Sequence, residues 1–307
     1  MERGATLNGG GERVFEHFEK QTRRVNGVEI AYRVGGSGPA LLLLHGHPQT
    51  HVIWHKVVDT LAQHFTVIAA DLRGYGDSGK PDDDPEHLNY AKRTMAADMA
   101  ELMSALGFER FKVLAHDRGA RVAHRLGVDH AERVERMVLL DIAPTLAMYR
   151  GTNEAFARSY WHWFFLIRPQ PLPEMLIQAD PAQYLKSVMG ARSAGMAPFA
   201  PAALAEYERC LSLPGTATGI CGDYRASATI DLEHDQADID AGVKLTCPIN
   251  VMWGAKGAIE ACFDALAEWR KVATQVEGKA LPCGHYIAEE APDLLLEEAL
   301  SFLHQDE

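Results

Sequence analysis

Short β-rich runs recur along this chain with amphipathic stretches between them, and no other feature constrains the fold so strongly. The runs are Val28 to Val34, Ala40 to Leu44, Thr66 to Ala70, Phe111 to Ala115, Arg136 to Leu140, Ile249 to Trp253 and Thr274 to Ala280. Helical spacing occupies about Tyr90 to Leu106, Arg118 to Val128, Cys262 to Lys271 and Ala291 to His304. Alternation of this kind predicts an α/β fold, a mostly parallel sheet covered by helices. Several runs are nearly continuous in apolar residues, as expected of strands covered on both faces.

The alternation stops at Asp141 and resumes at Cys247. The interval holds the aromatic cluster Tyr160 to Phe165, then Arg168 to Pro173, then a looser Ala/Pro/Gly stretch from Gly190 to Pro201. It predicts a mainly helical insertion, residues 146–242, after the sixth strand of a core formed by 22–145 and 243–307. Residues 1–21, with Gly9-Gly10-Gly11, read as a loosely held N-terminal extension.

Composition excludes several functions. Lys and Arg total 30 against 42 Asp and Glu, a net charge of −12 without a dense basic run, so nucleic acid and anionic membranes are poor partners. The longest aliphatic run, Leu41 to Leu44, is far shorter than the roughly 20 residues a bilayer requires, and residues 1–11 contain no apolar signal core. Cys210, Cys221, Cys247, Cys262 and Cys283 are odd in number and lack CxxC spacing. That argues against a disulfide framework and a zinc site, and makes the cytoplasm the expected setting.

The chemistry gathers at the strand ends. Ala115-His116-Asp117-Arg118-Gly119 follows a strand and precedes a helix, and small residues around a polar centre permit a sharp turn that lifts the central side chain above the sheet. Asp117 then stands where many hydrolases carry serine, unless it merely caps the helix. His45-Gly46-His47-Pro48 follows the Leu41 to Leu44 strand, Asp71 to Ser78 follows the next one, and Gly284-His285 follows the last. That order, loop then elbow then late histidine, is the order of an α/β-hydrolase. A carboxylate attacking saturated carbon forms an alkyl ester, which water can cleave, whereas serine would form an inert ether. Asp117 therefore points to a carbon–halogen or epoxide substrate, with His285 activating water and the backbone N–H groups of His47 and Arg118 stabilising the oxyanion.

The run Leu41 to His55, the elbow His116 to Arg121, Leu140-Asp141-Ile142-Ala143-Pro144, Tyr160 to Trp163, Asp223-Tyr224-Arg225-Ala226 and Gly284-His285 together resemble the fluoroacetate (haloacetate) dehalogenases over about residues 22–304. The resemblance implies an α/β-hydrolase fold, with a mostly parallel eight-stranded sheet and a helical cap inserted after the sixth strand, and it implies no cofactor and no metal. Asp117 would be the nucleophile, His285 the base and Asp141 its acid. Arg118 and Arg121 would hold the carboxylate of a small anionic 2-haloacid, and His162, Trp163 and Tyr224 would receive the halide. Members of the family are often homodimers.

The residues agree with these roles. Near the seventh strand Glu260 is the only acid close by, so Asp141 is the better partner for His285. Arg118 and Arg121 lie three apart on one helix, and two guanidiniums suit a carboxylate. Departing fluoride needs several donors, and His162, Trp163 and Tyr224 supply imidazole, indole and phenol, although packing of an insertion helix accounts for most of the aromatic cluster. One departure stands out. Fluoroacetate-active members commonly carry a further cap tryptophan, whereas this chain reads Val188-Met-Gly-Ala-Arg-Ser193 there, which predicts a wider pocket. An epoxide hydrolase with the same Asp/His machinery is the runner-up, since Tyr149, Tyr160, Tyr184, Tyr207 and Tyr224 supply candidate acids, but the arginine pair favours an anion. A noncatalytic receptor has no need of nucleophile, acid and base together.

Overall fold

The computed structural model describes residues 14–305. Its strands are β1 Glu19–Val25, β2 Val28–Gly36, β3 Ala40–Leu44, β4 Thr66–Ala70, β5 Phe111–His116, β6 Val134–Leu140, β7 Ile249–Gly254 and β8 Val276–Leu281. They form one sheet in the order β1-β2-β4-β3-β5-β6-β7-β8. β2 pairs antiparallel with both β1 and β4, and every pair from β4 to β8 is parallel.

The central strands are legible because their two faces meet separate cores. Along β3, Leu42 and Leu44 join the cluster on one side, and Leu41 and Leu43 the cluster on the other. All four are fully buried, each stabilising the fold by about 1.5–3 kcal/mol relative to exposure. β1 has the opposite character. Its sequence is Glu19-Lys-Gln-Thr-Arg-Arg-Val25, and only Val25 is buried, so it carries no apolar pattern. Its signal lies in the turn instead: Asn26 and Gly27, both at positive φ (44° and 78°), close the tight hairpin to β2.

The extension expected over residues 1–21 is therefore corrected. β1 begins at Glu19, and Phe15 and Phe18 are buried in the core; residues 1–13 lie outside the described residues. Between β6 and β7 the chain forms helices from Thr145–Arg150 through Ile230–Ala241. Within this cap, Thr216–Ala228 is buried along most of its length and meets the start of the helix after β5 through Asp223 and Arg118. Among the described residues no helix is long and apolar enough to cross a membrane.

Candidate active site

Asp117 closes β5 and opens the helix Arg118–Asp129 with φ 48° and ψ −113°, a backbone conformation that non-glycine residues rarely adopt and that marks functional turns. Two glycines make room for it. A Cβ on Gly119 would lie 2.4 Å from the His45 carbonyl oxygen, and one on Gly46 would lie 2.4 Å from the Asp117 Cβ.

The two oxygens of Asp117 have different surroundings. Oδ1 accepts the His47 N–H at 2.9 Å. Oδ2 has no hydrogen-bond partner among the described residues and lies 3.6 Å from both His285 Nε2 and Arg192 Nη2. The Arg118 N–H, the other expected donor, opens the helix beside the carboxylate; the hydrogen bond on Asp117 among the described residues comes from His47. Burial opposes ionisation of Asp117, but the charges of Arg192, His285, His116 and Arg118 outweigh it and hold the carboxyl well below the usual range.

His285 hydrogen-bonds through Nδ1 to Asp141 Oδ2. Asp141 ends β6 at φ 51°, and its Oδ1 accepts the Gly254 N–H at 2.8 Å. Glu260, the competing acid, instead accepts the Trp253 indole N–H at 2.5 Å. Burial pushes Asp141 up to about 7 against the Gly254 bond. Burial and the Arg192 charge hold the His285 imidazole well below its ordinary value.

The paired arginines are placed differently from a simple substrate fork. Arg118 donates to Asp223 through Nε (2.9 Å) and Nη2 (2.6 Å), and Nη2 also reaches the Ser227 hydroxyl. Lys92 and the Tyr75 hydroxyl converge on the same Asp223 carboxylate. Arg121 donates through Nη1 to the Ala143 carbonyl (3.2 Å) and the Thr145 hydroxyl (2.9 Å). Each keeps one buried nitrogen without a partner among the described residues, Nη1 of Arg118 and Nε of Arg121. The guanidiniums lie 4.1 Å over the Tyr224 ring and 4.7 Å over the Trp163 ring, respectively.

His162, Trp163 and Tyr224 are all buried. The His162 and Trp163 rings lie 5.9 and 6.3 Å from that of Tyr224, which is 5.3 Å from His47. Among the described residues, His162 Nε2, Trp163 Nε1 and the Tyr224 hydroxyl have no hydrogen-bond partner. Buried polar atoms are rarely left so, and the three rings gather around Tyr224 beside His47. Burial holds His162 well below its ordinary value, so its imidazole is neutral.

Sequence reasoning missed Arg192. Its side chain is 7% exposed, packs over Tyr160 (5.1 Å) and Tyr286 (5.7 Å), and places Nη2 2.6 Å from His285 Nε2. Its carbonyl oxygen accepts the His285 N–H at 3.0 Å. The signal lay in the stretch from Val188 to Ser193, where the resemblance expects a pocket tryptophan; whatever occupies that position faces the site.

Comparison with known proteins agrees with this fold. A model of the alpha/beta hydrolase fold matches residues 39–177. A fluoroacetate dehalogenase from Burkholderia sp is 42% identical over 302 residues, 96% of this chain and 99% of that protein. A soluble epoxide hydrolase from Corynebacterium sp. (strain C12) is 36% identical, covering 91% of this chain and 94% of its own length. A crystal structure from Nostoc sp PCC 7120, named for its alpha/beta hydrolase fold, has a TM-score of 0.93 at 52% identity and covers 95% of this chain and 99% of that one. With sheet, elbow and cap in place, the chain belongs to the fluoroacetate (haloacetate) dehalogenase family of the α/β-hydrolase superfamily.

Proposed function

We propose that this hydrolase cleaves the carbon–halogen bond of a 2-haloacetate, giving glycolate and halide through an ester on Asp117. The observation that carries this reading is the asymmetry of the Asp117 carboxylate: Oδ1 is fixed by the His47 N–H, while Oδ2 is unpaired and faces His285. Oδ2 attacks the halogen-bearing carbon, and the halide departs with the bonding pair toward His162, Trp163 and Tyr224. The free nitrogens of Arg118 and Arg121 hold the substrate carboxylate, exchanging a bimolecular encounter for a fixed geometry.

In the second step His285 Nε2 takes a proton from water, the hydroxide adds to the ester carbonyl carbon, and the His47 N–H, joined by that of Arg118, stabilises the oxyanion. The intermediate collapses to free glycolate and the Asp117 carboxylate. Asp141 holds the imidazole with its Nδ1–H turned inward, leaving Nε2 as the base. A cytoplasmic setting fits the five free cysteines, and we extend the homodimeric assembly common in the family to this chain.

The test is a single turnover on chloroacetate in heavy-oxygen water. The reading expects the label in the side chain of Asp117 and unlabelled oxygen in the first glycolate released. Label appearing directly in glycolate overturns it. Styrene oxide serves as the control for the epoxide reading, which the unpaired Tyr224 hydroxyl and the Corynebacterium relative keep in view.

A further inference from the structure

The mechanism above makes no use of Arg192, yet this residue occupies the decisive atom. With Nδ1–H given to Asp141, the imidazole of His285 has at Nε2 a lone pair, and a guanidinium can only donate. Arg192 Nη2, at 2.6 Å, therefore sits on the lone pair that hydrolysis needs for water. Its Nη1 has no hydrogen-bond partner among the described residues. Among the described residues its one acidic side chain within 4 Å is Asp117, at 3.6 Å, whereas Arg118 is locked to Asp223 by two nitrogens. Tyr160 and Tyr286 flank the guanidinium without a bidentate carboxylate to hold it. Beside it lies a cavity of about 480 Å³, also lined by His285, Asp141, Tyr160 and Lys256.

We propose that Arg192 is a substrate-responsive latch and a specificity residue: it covers His285 Nε2 in the free enzyme, and the carboxylate of a haloacid arriving through this cavity draws it away. This rests on the reading of Asp117 as nucleophile toward an anionic substrate. A planar guanidinium with a free edge recognises a carboxylate well. Conversion of Asp117 to a neutral ester then removes the remaining charge that holds Arg192 over the base, so Nε2 is open when water has to be activated. An uncharged haloamide offers the arginine no counter-charge, so Arg192 adds nothing to its capture and favours acids before the ester forms.

The test compares halide release from chloroacetate and chloroacetamide by the wild-type enzyme and the Arg192→Met and Arg192→Lys variants. Arg192→Met is expected to raise KM for chloroacetate and to lower the acid-to-amide ratio of kcat/KM by about tenfold or more, the scale of one lost charge-assisted contact. Arg192→Lys is expected to recover part of that ratio. A second measurement needs no variant: unreactive acetate should shift the His285 Nε2 nitrogen resonance of the wild type, and acetamide should not. A ratio within twofold of wild type in Arg192→Met, or an unmoved resonance with acetate bound, overturns the latch while leaving the haloacetate reading standing. Absence of halide release from chloroacetate by the wild type removes both.

Discussion

Nε2 of His285 lies 3.6 Å from Oδ2 of Asp117, and no hydrogen bond joins them. The base is thus close enough to serve a water attacking an ester formed on that carboxyl group, without trading its own proton with the free carboxylate. Replacing Asp117 by Asn is expected to abolish steady-state halide release from chloroacetate, a loss of at least about a thousandfold. Replacing His285 by Asn should instead let ester accumulate, visible as a mass gain on the peptide containing residue 117. Full turnover in either variant would remove the mechanism.

The two steps should separate with pH. Asp117 is held well below the usual carboxylate range and stays ionised in mild acid, so ester formation continues there. Asp141 is pushed up to about 7 by burial; below that value it takes a proton, and the imidazole loses the partner that keeps Nε2 basic. Rapid-quench assays should therefore show a halide burst near pH 6 followed by slow turnover, with the burst fading as pH rises through about 7. Equal pH dependence of the burst and the steady state would contradict this assignment.

Asp223 balances the two buried cations Arg118 and Lys92. Asp223→Ala leaves both without their shared counter-charge, and should lower unfolding stability by about 3–5 kcal/mol in urea titrations at neutral pH. These cations hold Asp223 below its ordinary value despite burial. Its contribution is therefore present above the unfolded carboxylate value of about 4 and is lost as pH falls toward the folded one. The gap between wild type and variant should narrow in acid.

Tyr224→Phe and Trp163→Phe each delete one donor that has no partner among the described residues. If the pair receives the departing halide, each loss should slow defluorination of fluoroacetate by about 10²-fold. Debromination of bromoacetate should slow much less, because bromide needs less help to leave. Similar losses for both substrates would assign the two residues to packing alone.

The sequence reveals the parts of this molecule that depend on local pattern. β3 and β4 coincide with their expected ranges because each is a short apolar run buried on both faces. β1 escapes that reasoning because an exposed edge strand has no apolar alternation to show. The Asp117 elbow and the Gly284-His285 turn are visible as spacing, and Asp141 as the acid that closes β6. What spacing cannot show is pairing at long range. Arg118 meets Asp223 across 105 positions and Arg192 meets His285 across 93, so the tie on one expected substrate arginine and the presence of a third guanidinium emerge only when the cap folds over the sheet.

The hydrogen bond from the His285 amide to the Arg192 carbonyl carries a consequence for how such a protein can change. The Arg192 segment and the His285 imidazole are stitched together by this backbone link, beside Gly284, where an added Cβ would lie only 2.8 Å from that same carbonyl oxygen. Insertions between residues 190 and 195 would drag the imidazole out of line, while Phe164 and Phe165 can be redrawn without replacing the donors His162 and Trp163. New substrate ranges should therefore be easier to reach by reshaping the aromatic wall than by lengthening the loop around Arg192.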